Sequence, residues 1–161
     1  IFRPHPEYVK RYKSELLELE KKFSRYNNFK IDISDSLDLV FESKYLITDW
    51  SGIALEYAYF LKRPVIFFDT PKKINNIDIK KDKNKQLQMI EVTQRENLGI
   101  ILKDPQSLLD KIKVLDHNSR EYEKNISEFF DENLFNQSNS EGIIYDKIVK
   151  INSNVKNRKL I

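Results

Sequence analysis

The residues with chemical promise gather in three short stretches. The clearest is Thr48-Asp49-Trp50-Ser51-Gly52, set between the apolar runs of "YLITDWSGIALEYAYFLKRPVIFF", Tyr45 to Phe68. The chain has only three glycines, and one falls here, beside a serine, where a strand-like run gives way to a helix-like one. A helix N-terminus leaves backbone N–H groups unpaired and carries partial positive charge. Ser51 adds a hydroxyl and Gly52 a bare backbone, so the turn can cradle a phosphate. Glu56 follows, roughly one and a half turns into the helix. Its carboxylate can accept hydrogen bonds from sugar hydroxyls, as acidic residues do in nucleotide-binding folds. Plainer roles stand beside these: Asp49 or Ser51 as a helix N-cap, Gly52 as a tight packing point, Glu56 as a solvated helix residue. The turn is also not a P-loop, because no GxxxxGK[ST] pattern occurs.

The second stretch is "RPHP". Arg3 and His5 follow an apolar pair that reads as the tail of a strand. Facing a phosphate, they would stabilise charge on a leaving group. His5 reads equally well as a surface histidine held between Pro4 and Pro6. The third stretch, "FFDTPKKINN", puts Asp69, Thr70, Lys72 and Lys73 after another strand. Those lysines can steer an anion or simply solubilise the chain. His117, in "VLDHNSR", reads as a capping or surface residue.

Positioning these groups is the task of the surrounding elements. From Glu7 onward, Tyr8, Tyr12, Leu16, Leu19, Phe23 and Tyr26 recur at steps of three and four, which predicts one helix with a single apolar stripe. A short strand is expected at Phe29–Ile33, then a short helix capped by Ser34 or Asp35 and ending at Phe41. A strand follows at Tyr45–Thr48 and a helix at Ser51–Leu61. Pro64–Phe68 has four Val, Ile or Phe residues in five and predicts a strand buried on both faces. Lys72–Lys85 reads as a solvated loop and Asn84–Val92 as a short helix. A strand at Gly99–Leu102 and a helix begun by Pro105, carrying Leu108, Leu109, Ile112 and Leu115, come next. Helices at Arg120–Phe130 and Glu141–Ile151 complete the chain, with a frayed tail behind them. Alternating strands and helices predict an α/β fold: a Rossmann-like parallel sheet with helices on both faces. Ligands of such sheets bind beyond the carboxyl ends of the strands. We expect one domain at 1–152 and a flexible tail at 153–161.

Composition narrows the function classes. The 161 residues are 40% hydrophobic and 33% charged, a globular balance. No run approaches the ~20 apolar residues that span a bilayer, and no signal-peptide pattern is present. Cysteine is absent, which excludes disulfides and thiolate metal sites. Two histidines without HExxH spacing give no zinc motif. The formal charge of +3 favours anionic ligands without arguing for nucleic acid, and the Lys72–Lys85 lysines lack the interleaved aromatics of single-strand binders. The opening "IFRPHPEY" has no methionine and starts on an apolar pair, so we expect a fragment of a longer protein.

"RPHP", a helix, and then "YLITDWSGIALEYAYFLKRPVIFFD" together resemble the carboxyl-terminal half of the CDP-glycerol glycerophosphotransferases, which prime and polymerise teichoic acids. The resemblance covers Phe2 to Asp69 and rests on the order and spacing of an Arg-x-His motif, a strand, a Thr-Asp-Tyr-Ser-Ser turn, a helix and an Arg-Pro-Ile-Ile-Phe strand. Trp50 stands in place of the usual tyrosine, Gly52 in place of the second serine, and Glu56 where the polymerases tend to have aspartate.

The resemblance implies a GT-B enzyme of two Rossmann-like domains, with this chain as the donor-binding half. It implies that His5 contacts the donor pyrophosphate as the catalytic group, with Arg3 nearby. It further implies that Thr48, Ser51 and Gly52 bind phosphate and that Glu56 holds the ribose; Asp69 and Thr70, at the sheet edge after the next strand, can form a substrate loop. A Ser-Gly-x-x-x-Glu arrangement also serves the nucleotide site of UDP-N-acetylglucosamine 2-epimerases. The implied partners are a nucleotide-activated donor, CDP-glycerol or similar, and a glycan or lipid-linked acceptor. Neither cofactor nor metal is implied. The family's general base belongs to the other domain, so the fragment alone is expected to bind donor without transferring it. Its setting would be cytoplasmic, at the inner face of the membrane, with any membrane contact made by parts outside these residues. Two other readings stay open: a GT-B glycosyltransferase using a UDP- or CMP-sugar, and a non-catalytic α/β interaction module.

Overall fold

The computed structural model describes residues 1–71 and 90–158. The chain divides into two compact units, Ile1–Leu39 and Val40–Ile161.

In the first unit, Phe2 and Ile31 form a single parallel bridge. The Phe2 N–H donates to the Lys30 carbonyl at 2.8 Å, and Asp32 N–H donates back to the Phe2 carbonyl at 2.9 Å. The strand expected at Phe29–Ile33 is thus reduced to one pairing. The predicted single helix is instead two, α1 (Pro6–Arg11) and α2 (Lys13–Phe23), broken at Tyr12, whose φ of −128° and ψ of 47° lie outside the helical region. The tyrosines of the expected stripe stay exposed and pack on each other, the rings of Tyr8 and Tyr12 lying 4.7 Å apart. Leu16 is the buried residue of α2. Helix α3 (Asp38–Glu42) starts later than predicted, and Ser36 Oγ, not Ser34 or Asp35, accepts the Asp38 N–H at 3.1 Å.

The second unit holds a parallel sheet of β1 (Leu46–Thr48), β2 (Val65–Phe68) and β3 (Gly99–Leu102), in that spatial order. Helix α4 (Ile53–Leu61) links β1 to β2. The short helices α5 (Ile90–Thr93) and α6 (Arg95–Leu98) lead into β3. The expected helix at Asn84–Val92 lies largely outside the described residues, as does the Lys72–Lys85 loop. A 3-10 turn (Pro105–Ser107) then enters α7 (Leu108–His117), followed by α8 (Ser119–Asn133) and α9 (Ser140–Arg158). Helix α9 is longer than its apolar residues suggest and leaves Ile144, Tyr145, Ile148 and Val149 exposed.

Strand β2 explains why the sequence reads as buried on both sides. Successive side chains of a strand point to opposite faces. Val65 and Phe67 pack with Ala54, Tyr57 and Ala58 of α4 and with Ile126, Phe129 and Phe130 of α8. Ile66 faces the other way, into a cluster with Leu102 and Leu115 that Phe68, Leu108 and Ile112 border. Helices therefore cover both faces of the sheet, as the alternating pattern predicts. Helix α4 ends at Lys62, a non-glycine residue in the left-handed region (φ 52°) whose N–H donates to the Ala58 carbonyl at 2.9 Å. Its ammonium lies over the rings of Tyr59 and Phe130, at 4.6 and 5.4 Å from their centroids.

Candidate functional site

Register places two loops side by side. Thr48 ends β1 opposite Phe67, and Phe68 ends β2 opposite Leu102. The strands are parallel, so the turn after β1 and the loop after β2 leave the sheet at the same edge, the carboxyl edge where such sheets bind ligands.

The first loop is Asp49–Gly52. Helix α4 then begins, with Ala54 N–H donating to the Ser51 carbonyl at 3.2 Å and Leu55 N–H to the Gly52 carbonyl at 3.0 Å. No side chain caps this N-terminus. Asp49 and Ser51 therefore do not perform the capping role that their types would allow. Gly52 has an ordinary helical backbone (φ −61°), and nothing lies within 4 Å of the position a Cβ would take. Neither conformation nor packing demands a glycine there, so the tight-packing role also falls away. Glu56 is exposed in the first turn of α4. It lies four residues beyond Gly52, on the same helix face.

The second loop bends at once after β2. Asp69 N–H continues the ladder to the Leu102 carbonyl at 2.9 Å, and Thr70 N–H donates to the Phe68 carbonyl at 2.9 Å, an i to i+2 turn. The two loops are tied together: the indole N–H of Trp50 donates to the Thr70 carbonyl at 3.1 Å.

A residue that the sequence did not single out completes this edge. Arg95, in α6, is only 4% exposed. Its guanidinium stacks 3.9 Å from the centroid of the Trp50 ring and lies 5.2 Å from that of Phe67. It also donates to an Asp69 carboxylate oxygen and to the Phe68 carbonyl, each at 3.2 Å.

Arg3 and His5 belong to the first unit. Arg3 donates to Asp32 at 2.9 Å, to the Ser34 carbonyl at 2.8 Å and to the Ser36 carbonyl. The hydroxyl and backbone N–H of Ser34, with Arg3 beside them, hold the Asp32 carboxyl below its ordinary pKa. Arg3 thus organises the 32–36 segment. His5 is exposed, and its Nδ1 accepts the Glu7 N–H at 3.2 Å, capping α1. An accepting Nδ1 leaves the proton of the neutral ring on Nε2, which points a donor outward.

Other groups with shifted titration lie away from both loops. Burial pushes the Tyr57 phenol up, while hydrogen bonds from Tyr45 and Lys44 hold Asp116 down. His117 ends α7 in the open. A cavity of about 320 Å³ beside α8, lined by Glu96, Tyr122 and Glu128 among others, includes none of the candidate residues. Among the described residues, no group of three or more His, Cys, Asp or Glu side chains could hold a metal ion, and no helix is long and apolar enough to cross a membrane.

A family model described as CDP-Glycerol:Poly(glycerophosphate) glycerophosphotransferase matches residues 1–150. The chain belongs to this family. The match bears out the resemblance seen in "RPHP" and "TDWSG" and extends it well past Asp69. It makes the protein a transferase of the glycerophosphotransferase type, acting with a nucleotide-activated donor of the CDP-glycerol kind and an acceptor. No curated protein and no solved structure matches the chain.

Proposed function

We propose that the carboxyl edge of the sheet in this glycerophosphotransferase is its donor site, and that the chain is the donor-binding half of a GT-B enzyme. The observation that carries this reading is the open, uncapped N-terminus of α4 above Gly52. Among the described residues the backbone N–H groups of Gly52 and Ile53 have no protein acceptor. Such groups, with the helix dipole behind them, favour a phosphate. In this reading Thr48, Ser51 and Gly52 hold the donor phosphates, and Glu56 accepts from the ribose hydroxyls. Asp69 and Thr70 border the bound group.

The reaction is a direct displacement at phosphorus. An acceptor hydroxyl oxygen attacks the phosphorus that bears the glycerol. The new P–O bond forms as the bond to the nucleotide breaks, and CMP leaves with the electron pair. Donors at the site stabilise the charge growing on that leaving group. The hydroxyl proton passes to a base that this reading does not assign among residues 1–161. The product lengthens a surface glycopolymer of the teichoic acid or capsule kind, at the inner face of the membrane.

Calorimetric titration with CDP-glycerol, CDP and UDP tests the reading. Cytidine nucleotides should bind preferentially, and Ser51→Ala and Glu56→Ala should each weaken binding. A preference for UDP would favour a sugar transferase. Binding untouched by either substitution would remove the site from this edge.

A further inference from the structure

Burying a guanidinium is costly unless every donor is paired. Arg95 is buried, yet its Nε–H finds no acceptor among the described residues. An ion pair with only one partner buried adds little stability compared with apolar side chains of the same volume. Packing alone therefore gives this arginine no advantage over a methionine or leucine.

Its contacts show what an apolar residue could not do. One side chain reaches both loops at the carboxyl edge. It stacks on Trp50 of the first, at 3.9 Å, and bonds to Asp69 and the Phe68 carbonyl of the second, each at 3.2 Å. The Trp50 indole N–H closes the ring onto the Thr70 carbonyl at 3.1 Å. Trp50 directly precedes Ser51 and Gly52. Fixing its indole fixes where the chain enters α4, and so where the free N–H groups point. A planar guanidinium can stack on a ring and hydrogen-bond at its rim together, whereas an ammonium cannot.

We infer that Arg95 is a positioning residue of the donor site, acting through Trp50 to lock the β1–α4 turn against the loop after β2. The inference rests on the donor-site reading above. It assigns Arg95 no contact with the donor. The guanidinium instead sets the geometry of the groups that make that contact, which is where displaced atoms cost an enzyme most.

Trp50 is the single tryptophan of the chain, so its emission reports this contact directly. The experiment compares wild type, Arg95→Met and Arg95→Lys in the 161-residue chain, by circular dichroism, Trp50 emission with acrylamide quenching, and CDP-glycerol titration. Arg95→Met should keep its helical signal, show a shifted emission with an indole at least twofold more open to acrylamide, and bind donor at least tenfold more weakly. Arg95→Lys should recover less than half of that loss on a logarithmic scale. Full recovery by lysine would overturn the inference in favour of charge alone. Unchanged donor affinity in a folded Arg95→Met, with wild type binding normally, would also overturn it and leave the donor site standing. Wild type that binds no donor while the emission still shifts would instead sink the donor-site reading, and the positioning role with it. If Arg95→Met does not fold, Arg95→Gln, which takes the guanidinium off the Trp50 ring, carries the same test, and unchanged affinity there overturns the inference.

Discussion

A Cβ on Gly99 would stand 1.8 Å from the carbonyl oxygen of Val65, its partner in the β2–β3 register. The clash is with backbone on the central strand, which has packed helices on both faces and no room to retreat. Gly99→Ala should therefore destabilise the protein by about 3 kcal/mol or more, beyond the usual cost of overpacking. A lowered denaturant midpoint with an unchanged slope would show it. A shift under ~0.5 kcal/mol, ordinary for a surface site, would mean that β3 can part from β2 at little cost.

Gly52 gives the opposite expectation. Its backbone is helical and the space above it is empty. In Gly52→Asp a carboxylate at the start of α4 complements the helix dipole, so stability should hold or rise by about 0.3–1 kcal/mol. The same carboxylate would repel the donor pyrophosphate, and affinity for CDP-glycerol should fall at least tenfold. Thermal melts and calorimetry on one preparation read both effects. A variant with undiminished donor affinity would argue against phosphate at this turn.

Asp32 contributes to the acid behaviour of the first unit. Ser34 and Arg3 favour its charged form, so its pKa is lower folded than unfolded. The unfolded chain then binds the proton more readily, and stability falls as pH falls. The Asp32 contribution should be complete above the ordinary aspartate value of ~3.9 and vanish as pH drops through the depressed folded value. Melts of wild type and Asp32→Asn should therefore differ at pH 6 and converge towards pH 3. An NMR titration placing Asp32 at its ordinary value would refute the assignment.

Elements whose pattern was dictated locally were legible. The run Pro64–Phe68 announces a central strand because four of its residues are β-branched or aromatic, and the structure buries them on both faces. Strand β3 and helices α7 and α8 followed from the same kind of signal. The break at Tyr12 was not legible, because apolar spacing continues straight through it and only the backbone of the folded unit reveals it. Nor was Arg95. It sits in a polar stretch, and the groups that make it buried, Trp50 and Asp69, are far away in the chain. The aromatic residue inside the turn and the acid just after β2 were the available hints, and neither names its cation. The Thr48–Gly52 turn was legible as a whole, but the absence of a side-chain cap was decided by geometry alone.

The spatial order of the strands repeats their order in the chain, and this bears on biosynthesis. The β1–α4–β2 crossover closes a shorter loop than the β2–β3 pairing, so it is the cheaper contact to form and the first available as the polypeptide leaves the ribosome. Helix α8 emerges much later, yet it supplies Ile126, Phe129 and Phe130 to the face of β2 that α4 covers only in part. A nascent chain stopped before Ser119 holds its crossover but leaves Val65, Phe67 and Tyr57 without that cover. Such a species exposes a strand-rich apolar face to its neighbours and is prone to aggregate.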